Sequence, residues 1–186
     1  MKRLFDLFLS CILLILLAIP MLLIVIAIRL TSKGPSLYWS DRIGKNNVIF
    51  QMAKFRSMQV ETPSMATHLM TEPDAFLTPI GGFLRRNSFD ELPQIISILK
   101  GHMSFVGPRP ALYNQDDLIL LRTEEGLNQL LPGLTGWAQV NGRDELSIPE
   151  KVKLDVEYMH KKSFWFDLKI LWITFLKVIN SQGISH

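Results

Sequence analysis

The chain has 186 residues, with 20 Lys and Arg against 17 Asp and Glu, a formal charge of +3. That length holds one ordinary domain plus one extra segment, and that charge excludes the broad positive field that nucleic-acid binders carry. A single cysteine, Cys11, excludes an intrachain disulfide and a cysteine-rich zinc site, while a mean hydropathy of +0.20 requires the apolar residues to be concentrated somewhere.

They are concentrated at the N-terminus. From Leu7 to Ile28 no residue is charged, and roughly 22 helical residues reach about 33 Å, enough to cross a bilayer core. No small-x-small cleavage site follows, so the segment reads as a retained membrane helix rather than a signal peptide. Pro20 divides it into arms of about sixteen and ten residues, each too short to span alone. Within a helix it also removes a backbone donor and crowds the carbonyl of Leu16. Lys2 and Arg3 precede the run and Arg29 and Lys33 follow it, so the positive-inside tendency favours neither end for translocation. These features predict a helix that enters the membrane, bends at Pro20 and returns to the same face. The alternative is a bitopic span with a tolerated kink.

Beyond Ser32-Lys33-Gly34-Pro35 the pattern changes. Tyr38 and Trp39, then Val48 to Met52, flank polar turn residues at Gly44 to Asn47 and predict a short strand pair. Glu61 to Pro79, with three prolines and no clear period, reads as a surface loop with room for a short helix. Helices are predicted at Pro93 to Leu99, Tyr113 to Thr123, Pro149 to Lys162 and Phe164 to Ile179. The last carries Trp165, Trp172 and Phe175 beside Lys169 and Lys177, a composition that suits either a deep core or a membrane interface.

Three segments point to chemistry. In Arg85-Arg86-Asn87-Ser88-Phe89-Asp90-Glu91-Leu92-Pro93-Gln94, Ser88 and Glu91 have capping-box spacing and Pro93 suits a first helical position, so Asp90 and Glu91 fall near a helix N-terminus. A phosphate can be held there by free N–H groups and flanking arginine forks. The plainer reading is a pair of acids capping a surface helix. Gly107-Pro108-Arg109-Pro110 presents an arginine from a stiff turn. Pro132 to Arg143 is glycine-punctuated and by itself reads as a hairpin that points Arg143 outward.

Taken in order, Lys2-Arg3-x-x-Asp6, Lys54-Phe55-Arg56, Ser88 to Gln94, Val106 to Pro110, Pro132 to Trp137 and Asn141-Gly142-Arg143 resemble the small monotopic phosphoglycosyl transferases, a bacterial sugar transferase family. The resemblance covers nearly the whole chain and is to the minimal catalytic unit, without the large N-terminal extension of some relatives. It implies an α+β protein. Residues 1–32 would form a re-entrant membrane helix and residues 33–186 a mostly helical catalytic domain with a short strand pair and interfacial amphipathic helices. The expected location is the cytoplasmic face of the bacterial inner membrane. It implies Asp90 as nucleophile and metal ligand, Glu91 as its partner, Mg²⁺ as cofactor, and Lys54, Arg85, Arg109 and Arg143 as phosphate-binding residues. Asp155 matches a further acid of unassigned role. The implied partners are a UDP-sugar, undecaprenyl phosphate and membrane lipid, with a second copy of the chain allowed and no nucleic acid. A noncatalytic scaffold and a membrane phosphodiesterase are the competing classes; the second wants clustered His and Asp ligands, and His68, His102, His160 and His186 show no such spacing.

Overall fold

A computed structural model describes residues 1–62, 73–142 and 145–179. It opens with helix α1, Lys2–Thr31, which runs on through Pro20. The start of α1 is tied down by its few polar residues. Arg3 caps the end of helix α3 (Gln94–Leu99) by donating to the carbonyls of Ile98 at 2.6 Å and Leu99 at 2.8 Å. Asp6, only 2% exposed, accepts a 3.2 Å bond from the Phe105 N–H. Leu9 and Leu13 pack on a core of Phe50, Met52, Ile98, Met103, Phe105, Val106, Val140, Tyr158 and Ile170. The other end docks too: Met21, Ile24, Val25 and Ile28 cluster with Phe55 and Leu84. Between these anchorages Ile15, Leu16 and Ile19 are exposed.

The predicted strand pair is present as β1 (Leu37–Ile43) and β2 (Ile49–Phe55), antiparallel, with Tyr38 opposite Lys54 and Arg42 opposite Phe50. Its turn uses Asn46 and Asn47 at φ of 56° and 59°, left-handed values that asparagine tolerates better than most residues. A second, unanticipated sheet pairs β3 (Ser104–Val106) in parallel with β4 (Gly133–Thr135). This corrects the hairpin expected from Pro132 onward: β4 crosses back to β3, and the short helix α5 (Trp137–Val140) follows it. The reason is steric. A Cβ on Gly133 would collide with the backbone of Gly107, and one on Gly136 with the Gly107 carbonyl, so these glycines let two backbones meet that sequence alone does not bring together.

Helices α2 (Gly81–Arg86), α4 (Asp116–Glu124), α6 (Ile148–Lys161) and α7 (Phe164–Ile179) complete the fold. Helix α7 has one buried face and one exposed face. Ile170 and Asp167 are buried, while Trp165 and Trp172 are 77% and 61% exposed. The domain is therefore α+β and mostly helical behind a long apolar N-terminal helix. Most of the stretch expected as a loop from Glu61 lies outside the described residues; Pro73–Phe76 forms one 3-10 turn.

Candidate active site

The chemistry-bearing residues converge on a cleft of about 390 Å³ between the β1–β2 pair, α2 and the turn after it, lined by Tyr38, Ser40, Arg42, Lys54, Arg85 and Asp90 among others. Strand alternation explains four of these positions. Tyr38, Ser40 and Arg42 repeat every second residue, and Lys54 lies opposite Tyr38, so they share a face.

Asp90 and Glu91 sit on a single 3-10 turn, Phe89–Glu91, that leads into α3. The capping box expected between Ser88 and Glu91 is not formed. Ser88 occupies the left-handed region at φ 55° and makes no side-chain cap bond, and Glu91 is directed elsewhere. Its Oε1 accepts from Lys54 Nζ at 3.0 Å and from Arg109 Nη2 at 3.1 Å. Lys54 Nζ also stands 3.5 Å from Asp90 Oδ2. One ammonium thus bridges two adjacent carboxylates, offsetting the repulsion that two like charges this close create. Asp90 is buried, and its Oδ1 has no hydrogen-bond partner among the described residues.

Lys54, Asp90, Glu91 and Arg109 are therefore in one constellation, and Arg85, whose Nη1 lies 3.3 Å from Met58 Sδ, lines the same cleft. Arg143 lies outside the described residues. The structure adds Arg42, which sequence reading did not single out. Its Nε donates to Ser40 Oγ at 2.9 Å and its Nη1 to the Pro110 carbonyl at 3.2 Å. Burial, helped by the nearby Arg109 charge and opposed by Glu91, pushes its guanidinium down to about 10, still charged at neutral pH. The signal available was the two-residue period running back from Arg42 through Ser40 to Tyr38.

Among the described residues no three His, Cys, Asp or Glu side chains group as metal ligands. The donor set nevertheless fits Mg²⁺, which takes one or two protein carboxylates and completes its shell with water and substrate phosphate oxygens. The unpartnered Oδ1 of Asp90 is an oxygen of that kind.

Comparison with known proteins identifies the family. The family model for bacterial sugar transferases matches residues 1–181. The chain is 41% identical over its whole length to an uncharacterized sugar transferase, EpsL, of Bacillus subtilis, covering 91% of that protein. It is 39% identical over 95% of its length to the UDP-glucose:undecaprenyl-phosphate glucose-1-phosphate transferase of Escherichia coli, and 36% identical over 81% to the galactosyl transferase CpsE of Streptococcus agalactiae. The chain spans only 40% and 36% of the last two proteins.

Proposed function

Because the chain belongs to the bacterial sugar transferase family, we propose that it moves a sugar 1-phosphate from a UDP-sugar to undecaprenyl phosphate, releasing UMP, through a covalent phosphosugar on Asp90. The observation that carries this reading is a buried aspartate lining a cationic cleft, with its second carboxylate oxygen left unpartnered by the protein.

The acceptor and donor phosphates repel each other, and a carboxylate intermediary divides the problem into two displacements. An oxygen of Asp90 attacks the β-phosphorus of the donor, the bond from that phosphorus to the bridging oxygen breaks, and UMP leaves with the electron pair. A phosphate oxygen of the acceptor then attacks the same phosphorus and Asp90 departs as carboxylate, leaving a lipid-linked sugar diphosphate. Lys54, Arg42, Arg85 and Arg109 supply fixed positive charge where the phosphoryl oxygens gather it, which is the larger part of phosphoryl-transfer catalysis. Mg²⁺, held by Asp90, would further neutralise phosphate charge. Glu91 is placed by Lys54 and Arg109 to orient that cationic side of the site. The relatives are named for glucose 1-phosphate and galactosyl transfer, and a panel of UDP-sugar donors identifies the sugar this chain moves.

The acceptor's phosphate lies at headgroup level, so we place the site at the cytoplasmic membrane face, with α1 entering and leaving on that side. The support is that both ends of α1 pack on the same domain. Arg3 reaches Ile98, and Ile28 clusters with Leu84 in a group that also holds Leu92, which is near Ile98 in the chain. A straight helix would separate residues 3 and 28 by about 37 Å.

The test is a half-reaction. Wild type incubated with UDP-sugar and Mg²⁺ but no acceptor should release at most one UMP per enzyme and gain the mass of a phosphosugar on the peptide containing Asp90. Asp90→Asn, nearly isosteric, should gain none and slow UMP release by several orders of magnitude. UMP release only in the presence of polyprenyl phosphate, with no adduct, would establish direct displacement and reduce Asp90 to a metal ligand.

A further inference from the structure

Arg109 lies between two prolines that each lack an N–H, so the residues flanking it offer no backbone donors to fix the turn. The flanks are held from outside. Gly107 N–H donates to the Thr135 carbonyl and Gly133 N–H to the Pro108 carbonyl, each at 2.9 Å, tying the approach to β4. Just before it, the Val106 carbonyl accepts from Lys2 Nζ at 2.8 Å and from the Tyr158 hydroxyl at 3.3 Å. At Arg109 itself the carbonyl accepts from Arg122 Nη1 at 2.7 Å.

Arg122 is in turn oriented by a carboxylate. Its Nε and Nη2 donate to Asp155 Oδ2 at 3.0 and 2.6 Å, and Asp155 is 1% exposed. Three donors of one planar guanidinium are thus spent on two acceptors, an arrangement an ammonium cannot copy. Asp155 and Tyr158 lie three residues apart on α6, hence on one face, so that face reaches Val106 directly and Arg109 through Arg122. Neither Arg122 nor Asp155 lines the reaction cleft. A buried ion pair is also a weak stability device, often replaceable by apolar residues at no cost. What it does supply is a fixed direction.

We propose that Asp155 and Arg122 are positioning residues for the transfer reaction: Asp155 locks the Arg122 fork, which holds the Arg109 carbonyl and so aims the Arg109 guanidinium at Glu91 and the donor phosphates. This rests on the reading of Asp90 and Glu91 as the reaction centre. It gives a role to Asp155, the acid that motif comparison left without one.

The test is a double-mutant cycle on kcat, donor KM and the single-turnover UMP burst. Arg122→Lys should lower kcat and the burst rate by roughly 10- to 100-fold, the scale of a misplaced catalytic contact. Donor KM should change much less. Introduced into Arg109→Lys, the same substitution should add less than about 2-fold, because its effect passes through the side chain already altered. Should Arg122→Lys fold poorly, the paired replacement Arg122→Met with Asp155→Leu leaves no lone buried charge. It should keep the thermal midpoint of the wild type while retaining the low kcat. Losses that multiply across the cycle, or a paired replacement with full kcat, would overturn the proposal while wild-type transfer stands. A wild type that neither releases UMP nor forms lipid-linked product would overturn the functional reading and this one with it.

Discussion

Arg42 shows how much of this site is decided by single side chains that no motif announces. It stands close to Arg109, at a cost in charge repulsion, and that cost is offset by Glu91 and by hydrogen bonds to Ser40 and Pro110. A group kept in so unfavourable a place usually serves the reaction rather than the fold. Arg42→Lys retains the charge but cannot make both bonds. Loss of one charge-assisted bond of about 1.5–3 kcal/mol should lower kcat/KM for the donor by roughly 10- to 100-fold. Circular dichroism should be unchanged. A variant with wild-type kcat/KM would show that Arg42 only braces the Pro110 turn. Ser88 is a second residue-scale device: its left-handed backbone just before Phe89 turns Asp90 toward the cleft instead of continuing the preceding helix.

At the scale of elements, α6 carries more of the site than its surface sequence suggests. Its start is secured by Glu150, whose carboxylate reaches back to the Ser147 N–H at 2.8 Å and hydroxyl at 2.6 Å. Those bonds, the hydroxyl first, hold the Glu150 carboxyl below its ordinary value of 4.5. A depressed acid binds fewer protons folded than unfolded, so its contribution is present above the unfolded value and is lost as pH falls through the folded one. Ser147→Ala should therefore lower the thermal midpoint near pH 6, and the gap to wild type should narrow as pH falls below the ordinary glutamate value. A gap that stays constant over that range would assign the effect to helix propensity instead. Because Asp155 and Tyr158 ride on α6, fraying at its start should reach the Arg109 turn as well.

For the whole molecule, the issue is how an apolar helix of about 45 Å if straight serves a domain that holds both its ends. The bonds of Lys2 to Val106, Tyr158 and Asp167 join the start of α1 to the strand leading into the Arg109 turn, and Arg56 joins its end by donating to Ser32. In a Cys11→Ser background, a cysteine added ahead of Met1 and another replacing Lys162 should both resist an impermeant thiol reagent in intact cells and react after permeabilisation. On the re-entrant reading proposed above, Pro20→Leu should favour a straight span, exposing the leading cysteine outside or releasing the domain from its docked state with loss of transfer. Labelling of the leading cysteine in intact cells with Pro20 unchanged, while the cysteine at position 162 stays protected, would establish a bitopic span.

The long apolar N-terminal helix, the β1–β2 pair, the boundaries of α3 and α7 and the family itself were legible in the sequence. They rest on local signals: a charge-free apolar run, turn residues between short apolar stretches, and motifs of adjacent residues such as Ser88 to Gln94. The docking of both ends of α1, the β3–β4 pairing, the entry of Arg42 and the clamp of Asp155 on Arg122 were decided only by the tertiary structure. Each joins residues far apart in the chain, through glycine backbones that touch or a guanidinium shared between helices, and periodicity carries no record of such long-range pairs.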